Sequence, residues 1–273
     1  MLPRSFLYVP ADKPPLFDKA AAGPADAIVL DLEDAVPLPA KGTARDAVRR
    51  WLEAPSSSSG GAEVWVRVDP RGLEADVAAV LHARLSGLLL ADCSPAALAA
   101  LGQLLAAWPE VRVVGLVESA AALLSLAEMA AHPRLTAFGI GEVDLLGDLR
   151  VARTHRTEAV VAALRTQVVV HSAAAGLEAP VAPTSTDFRD LDAFAESTRL
   201  ALDLGFRSRT AIHPAQVPVI HEVLTPTAED VAAARDVVAR FEAAGGGVTT
   251  DASGRLIDAA VVRSARETLA RTP

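Results

Sequence analysis

The sequence predicts a closed (β/α)8 barrel with a small C-terminal helical appendage. Short apolar runs alternate with helical patterns about eight times over roughly 220 residues, the signature of a parallel sheet wrapped by helices. Several runs are apolar throughout rather than alternating, as strands covered on both faces are. No Gly-rich phosphate loop follows the first strand, which disfavours the competing open, doubly wound sheet with a dinucleotide site.

Taken in order, residues 5–9 form a first strand and 14–22 a short helix. The second strand, 27–32, is bounded by Gly23-Pro24 and Pro37, and a helix follows over about 40–52. Residues 56–61 (Ser-Ser-Ser-Ser-Gly-Gly) read as a flexible surface loop, too short for a domain linker. Glu63–Val68 is the third strand, with a helix near 74–83. Residues 88–90 are the core of the fourth, and Ser94-Pro95 fit N-cap and first position of the next helix. Residues 111–117 form the fifth strand, with a helix from about Ser119, and 135–140 the sixth. A long helix covers about 156–175, with Gly176 at its C-terminal cap. Residues 180–184 are a seventh strand weakened by two prolines. Residues 190–204 are helical, and 210–213 form the eighth strand. The barrel is expected to span 1–244. Gly245-Gly246-Gly247 then offers a hinge to a lid-like extension, 245–273, with a final helix over about 259–270.

Bulk composition excludes several classes of function. The net charge is −8 and no tract of five basic residues occurs, so nucleic acid and anionic membrane are not expected partners. Cys93 is the only cysteine; no internal disulfide can form, which suits a reducing, cytoplasmic setting. Neither a secretory signal nor a bilayer-spanning run is evident.

Barrel enzymes place their chemistry at the C-terminal ends of the strands. There the second strand delivers Asp31, Glu33 and Asp34, the third Arg67 and Asp69, the fifth Glu118, the sixth Glu142 and Asp144, and the eighth His213. Acids converging from strands two, five and six make a hard-oxygen cage suited to Mg2+; no thiolate set or His pair at zinc spacing is present. Each residue also has a plainer reading. The cluster at 31–34 also reads as a solvated, helix-capping loop, Glu118 as a helix N-terminal acid, Arg67 as an interior ion pair with Glu33 or Asp34, and His213 as a hydrogen-bonded wall residue. Cys93 reads as a buried small hydrophobe.

These segments carry a family resemblance. Arg4-Ser5-Phe6-Leu7-Tyr8-Val9-Pro10, Asp31-Leu32-Glu33-Asp34-Ala35-Val36, Val66-Arg67-Val68, Gly115-Leu116-Val117-Glu118-Ser119, Gly141-Glu142-Val143-Asp144-Leu145 and Ala211-Ile212-His213-Pro214-Ala215-Gln216 resemble the citrate lyase β-subunit-like family, part of the Mg2+-dependent aldolase and CoA-ester lyase superfamily. The resemblance implies a barrel assembled as a trimer or hexamer. It implies Mg2+ held by Glu118 and Asp144, with Glu142 as a fallback ligand and Glu118 also at the substrate. Glu33 and Asp34 would order water around the metal, Arg67 would bind substrate and stabilise negative charge, and Arg4 would touch a CoA phosphate. Asp258, in a segment similar to the family's lid motif, would act in a neighbouring subunit's site; its plainer reading is a helix N-cap.

The expected reaction is cleavage, or formation by Claisen condensation, of a 3-hydroxy-3-carboxyacyl-CoA such as citramalyl- or malyl-CoA into a 2-oxo acid and an acyl-CoA. The alternatives are an aldolase for free 2-oxo-4-hydroxy acids and a non-catalytic metal- and oxo-acid-binding subunit of a lyase complex. The chain departs from the family pattern at Ala91-Asp92 in place of Pro-Lys, Asp69 in place of Asn, 179–183 in place of an Ile-Asp strand, and Ser208-Arg209 in place of Gly-Lys. Those changes leave the expected metal site intact and alter the pocket wall.

Overall fold

The computed structural model describes residues 1–55 and 61–272, so the Ser-rich loop expected at 56–61 lies, but for Gly61, outside the described residues. Eight strands form the barrel: β1 Ser5–Pro10, β2 Ala27–Asp31, β3 Glu63–Val68, β4 Leu85–Leu90, β5 Arg112–Val117, β6 Ala137–Ile140, β7 Val181–Ala182 and β8 Ser208–Ala211. They are hydrogen-bonded in sequence order, all parallel, and β8 closes onto β1. The expected (β/α)8 barrel is therefore the observed one.

The strands sort their side chains by a period of two. Val64, Val66 and Val68 of β3 point outward into the core shared with the helices, as do Ile28 and Leu30 of β2. Trp65, Val29, Leu89, Val114 and Leu116 point inward and fill the barrel with Phe6, whose ring meets Trp65 edge-on at 5.2 Å. A Cβ at Gly87 would overlap the Trp65 indole, so that strand needs glycine where the indole fills the interior. Two more residues along from the inward layer come Asp31, Arg67 and Glu118, at the C-terminal mouth. Apolar strands thus end in inward-facing charge.

The surrounding helices are α1 Phe17–Ala21, α2 Lys41–Glu53, α3 Leu73–Val80, α4 Pro95–Leu104, α5 Ala120–Leu124, α6 Leu126–Ala130, α7 Glu142–Asp148, α8 Glu158–Ala174, α9 Leu191–Leu204 and α10 Gln216–Leu224. Ser94 and Ser119 are N-caps, accepting from Ala97 N–H at 3.3 Å and Ala122 N–H at 3.2 Å. The single helix expected after β5 is two short ones, joined at Ser125. Helix α7 was not expected from the sequence; at seven residues it is too short to show a helical period. Strand β7 has only two residues, as its flanking prolines suggest. Buried Arg209 braces it, donating from Nε to the Pro183 carbonyl at 3.1 Å.

The chain resolves into two compact units, Met1–Ile220 and His221–Pro273, and the division falls within α10. The second unit holds α11 Ala228–Ala243, α12 Ala259–Ala270 and an antiparallel pair, β9 Thr249–Thr250 with β10 Leu256–Ile257. Helices α11 and α12 pack on each other. The boundary expected after residue 244 thus lies inside this unit, because α11 finds its packing partner beyond the glycines rather than ending a barrel repeat. Among the described residues no helix is long and apolar enough to cross a membrane.

Candidate active site

A cavity of about 460 Å3 opens at the C-terminal mouth of the barrel. Tyr8, Asp31, Asp34, Arg67, Glu118, Glu142 and Asp144 supply its polar wall, and Leu116, Ile140, Val181, Pro183 and Ile212 contribute apolar surface.

Asp31 organises one side. It is 2% exposed and takes two N–H bonds from Arg67, Nε to Oδ1 and Nη2 to Oδ2, both 2.7 Å. The same carboxylate accepts from Glu33 N–H at 2.9 Å and Ala35 N–H at 3.2 Å. One buried acid therefore fixes both the guanidinium and the turn carrying the next two acids. Arg67 Nη1 lies 3.1 Å from Glu33 Oε2 and 3.9 Å from Asp34 Oδ2, and the guanidinium stacks over Tyr8 at 4.9 Å. Burial disfavours the charge on Arg67, but the bond to Asp31 and the fields of Asp31 and Glu33 outweigh it and raise its pKa above the ordinary value. A guanidinium has five N–H donors; the bonds to Asp31 and the Glu33 contact engage three, so two can meet a ligand oxygen. Burial pushes Glu33 up to about 7 against the pull of Arg67.

Glu118 and Asp144 form the other side. Glu118 follows β5 and is mostly buried; burial pushes its carboxyl up to about 7. The Asp92 N–H, donated to Oε2 at 2.5 Å, and Arg67 pull it down, while Asp144 and Asp34 push it further up. Asp92 reaches Glu118 from a left-handed backbone, φ 38°, which Asp tolerates better than most residues. Gly141 lies against Glu118, and a Cβ there would overlap its carboxylate. Asp144 sits in the first turn of α7, where the helix dipole favours an acid.

Glu118 and Asp144 repel each other beside Gly141, a repulsion that a bound cation would relieve. Among the described residues no three His, Cys, Asp or Glu side chains converge as a metal cluster. Glu118 and Asp144, two hard carboxylates, could hold a Mg2+ that completes its shell with water and ligand oxygens. Cys93 is no competing soft ligand: it is buried, and burial pushes its thiol up to about 12.

The other expected residues fall as follows. Glu142 is not a spare ligand: buried Arg165 grips it with two bonds, 2.6 and 2.8 Å, and Arg153 adds a third. Glu33 is not part of the cavity wall and reaches it through Arg67 and through Asp34, whose N–H it accepts at 2.7 Å, whereas Asp34, its side chain 65% exposed, does line it. Arg4 precedes β1, at the opposite end of the barrel, where Asp26 holds it by two bonds of 2.8 and 2.9 Å. His213 is exposed, stacks on Phe188 at 4.9 Å and accepts from Ala215 N–H; it does not line the cavity. Asp258 is the N-cap of α12, accepting from Ala260 and Val261 N–H through Oδ1. The sequence places Asp31 in the acidic cluster at the end of the second strand without giving it a role of its own, and it does not single out Tyr8.

A family model described as HpcH/HpaI aldolase/citrate lyase matches residues 4–214. A (3S)-malyl-CoA thioesterase of Cereibacter sphaeroides is 34% identical over 98% of this chain and 94% of its own length. An L-malyl-CoA/beta-methylmalyl-CoA lyase of the same species is 30% identical over 96% and 92%. The crystal structure of protein CitE from Mycobacterium tuberculosis in complex with magnesium, acetoacetate and coenzyme A superposes with a TM-score of 0.80 at 28% identity, covering 98% of this chain and 97% of that one.

Proposed function

The chain belongs to the HpcH/HpaI aldolase/citrate lyase family, and from that premise we propose that it is a Mg2+-dependent carbon–carbon lyase acting on a 3-hydroxy-3-carboxyacyl-CoA such as citramalyl- or malyl-CoA. The observation that carries the reading is the convergence on one cavity of the Glu118 and Asp144 carboxylates with an anchored guanidinium. Glu118 and Asp144 would hold Mg2+, which when bound supplies Lewis acidity toward the oxygens of the oxo-acid portion.

The chain's own groups do the rest. Arg67 is locked by Asp31 and Tyr8, so its remaining N–H groups are aimed before substrate arrives. In cleavage, the substrate hydroxyl loses its proton and the carbon–carbon bond breaks. The bond electrons pass to the thioester carbonyl, giving an enolate whose carbon is then protonated. Arg67 would stabilise the negative charge. Asp31 and Glu142 are committed to arginines and Glu118 and Asp144 to the cation, which leaves Asp34 for ordering water and moving the hydroxyl proton. We assign the second proton to Asp258 of another copy of the chain, whose Oδ2 takes neither of the two cap bonds. That role fits a homotrimer or hexamer working in the cytoplasm. Leu116, Val181 and Pro183 shield the reacting carbon from water.

A second reading, thioester hydrolysis, is favoured by the (3S)-malyl-CoA thioesterase relative. Chromatography of the CoA products from citramalyl-CoA and malyl-CoA separates the two. The lyase yields an acyl-CoA with pyruvate or glyoxylate, hydrolysis yields free CoA, and neither product from either ester would remove the CoA-ester reading.

A further inference from the structure

We propose that Lys41 is a positioning residue: a buried ammonium that ties the C-terminal ends of β2 and β3 together and holds the 32–36 turn in register with Arg67. Lys41 is 7% exposed, and its Nζ donates to the Leu32 carbonyl at 2.5 Å and the Glu33 carbonyl at 2.9 Å. It lies 3.4 Å from Asp69 Oδ2, just past the end of β3. Lys41 is also the first residue of α2, where the helix dipole disfavours a cation. A lysine buried there needs a tertiary reason, and the two carbonyls supply it, since charge-assisted bonds are the stronger kind. One helical turn on, Arg45 pairs with buried Asp76 at 2.6 Å, and Asp76 accepts the Asp69 N–H at 2.9 Å. Helices α2 and α3 thus brace the Asp69 end of the clamp, and Lys41 carries that bracing to the turn bearing Glu33 and Asp34.

The catalytic half of this inference rests on the function proposed above; the structural half does not. The experiment is amide hydrogen exchange of residues 33–36, with β5 amides as the control for global opening, on full-length wild type, Lys41→Met and Lys41→Gln. Steady-state kinetics on the cleaved ester accompany it. Loss of the clamp should speed exchange at 33–36 at least tenfold in Lys41→Met while β5 is unchanged, with an intermediate rate in Lys41→Gln, whose amide retains a donor. kcat should fall at least tenfold, with KM altered less than threefold. Unchanged exchange at 33–36 overturns the clamp, as does equal acceleration in β5. Faster exchange with unchanged kcat overturns the positioning role. A wild type that cleaves no ester overturns the proposed function, while exchange still decides the clamp. If Lys41→Met does not fold, Lys41→Gln decides by the same criteria.

Discussion

Replacing Asp31 by Asn keeps the shape of the side chain and removes what makes it an organiser. The carboxylate accepts four hydrogen bonds, two from Arg67 and one each from the Glu33 and Ala35 amides. An amide oxygen can keep two of those donors, and the NH2 then faces the other two, donor against donor. Arg67 also loses its buried counter-charge. Breaking a buried pair from one side typically costs about 3–5 kcal/mol. Glu33, 3.1 Å from Nη1, can take up part of the charge, so the low end, about 3 kcal/mol, is expected. Freed from its bidentate hold, Arg67 should also miss its target by enough to cost about 100-fold in kcat. Urea unfolding followed by circular dichroism reads the first quantity, and initial rates at saturating ester read the second. A variant within 1 kcal/mol of wild type (about a fivefold change in the folding constant), and within threefold in kcat, would refute the reasoning.

Gly141→Ala should weaken Mg2+ binding at least tenfold by calorimetry, with a smaller effect on thermal midpoint than on affinity, because the new Cβ would overlap the Glu118 side chain and displace its carboxylate. Glu142→Gln should do the reverse, destabilising by roughly 3 kcal/mol as Arg165 loses its partner while Mg2+ affinity changes less than threefold. A metal-affinity loss matching that of Asp144→Ala would restore Glu142 as a ligand. Burial raises Glu118 to about 7 from 4.5, so in EDTA the folded state binds the extra proton between those values. Its contribution to stability therefore declines as pH rises from about 4.5 to 7 and is flat above. Glu118→Gln should accordingly gain on wild type between pH 5 and pH 7.5 in thermal melts, and a constant difference would show that Glu118 does not titrate there.

Much of this molecule was legible in the sequence because its strands are written plainly. A run such as Ile28-Val29-Leu30 that ends in Asp31 admits few readings, and the inward period of two carries Arg67 and Glu118 to the mouth with it. What stayed hidden had no local signature. Helix α7 is shorter than the window in which a helical period shows, so the element presenting Asp144 was invisible although the residue was not. The Arg165 grip on Glu142 spans 23 residues, and the separation of Glu33 from the cavity depends on a turn held by Asp31. Arg4 was misjudged because its motif runs through the whole of β1, and only the strand's direction tells which end faces the cavity. The boundary expected after Ala244 followed the glycines, a chain feature, whereas α11 follows its packing partner α12.

The central claim is that Glu118 and Asp144 hold the cation on which carbon–carbon cleavage depends. It is tested most directly by single-turnover release of pyruvate from citramalyl-CoA, in EDTA and in Mg2+, by wild type and Asp144→Ala. Wild type should release pyruvate only with Mg2+, and the variant at least 100-fold more slowly at the same Mg2+ concentration. Equal release with and without Mg2+, or an unimpaired Asp144→Ala, would contradict it.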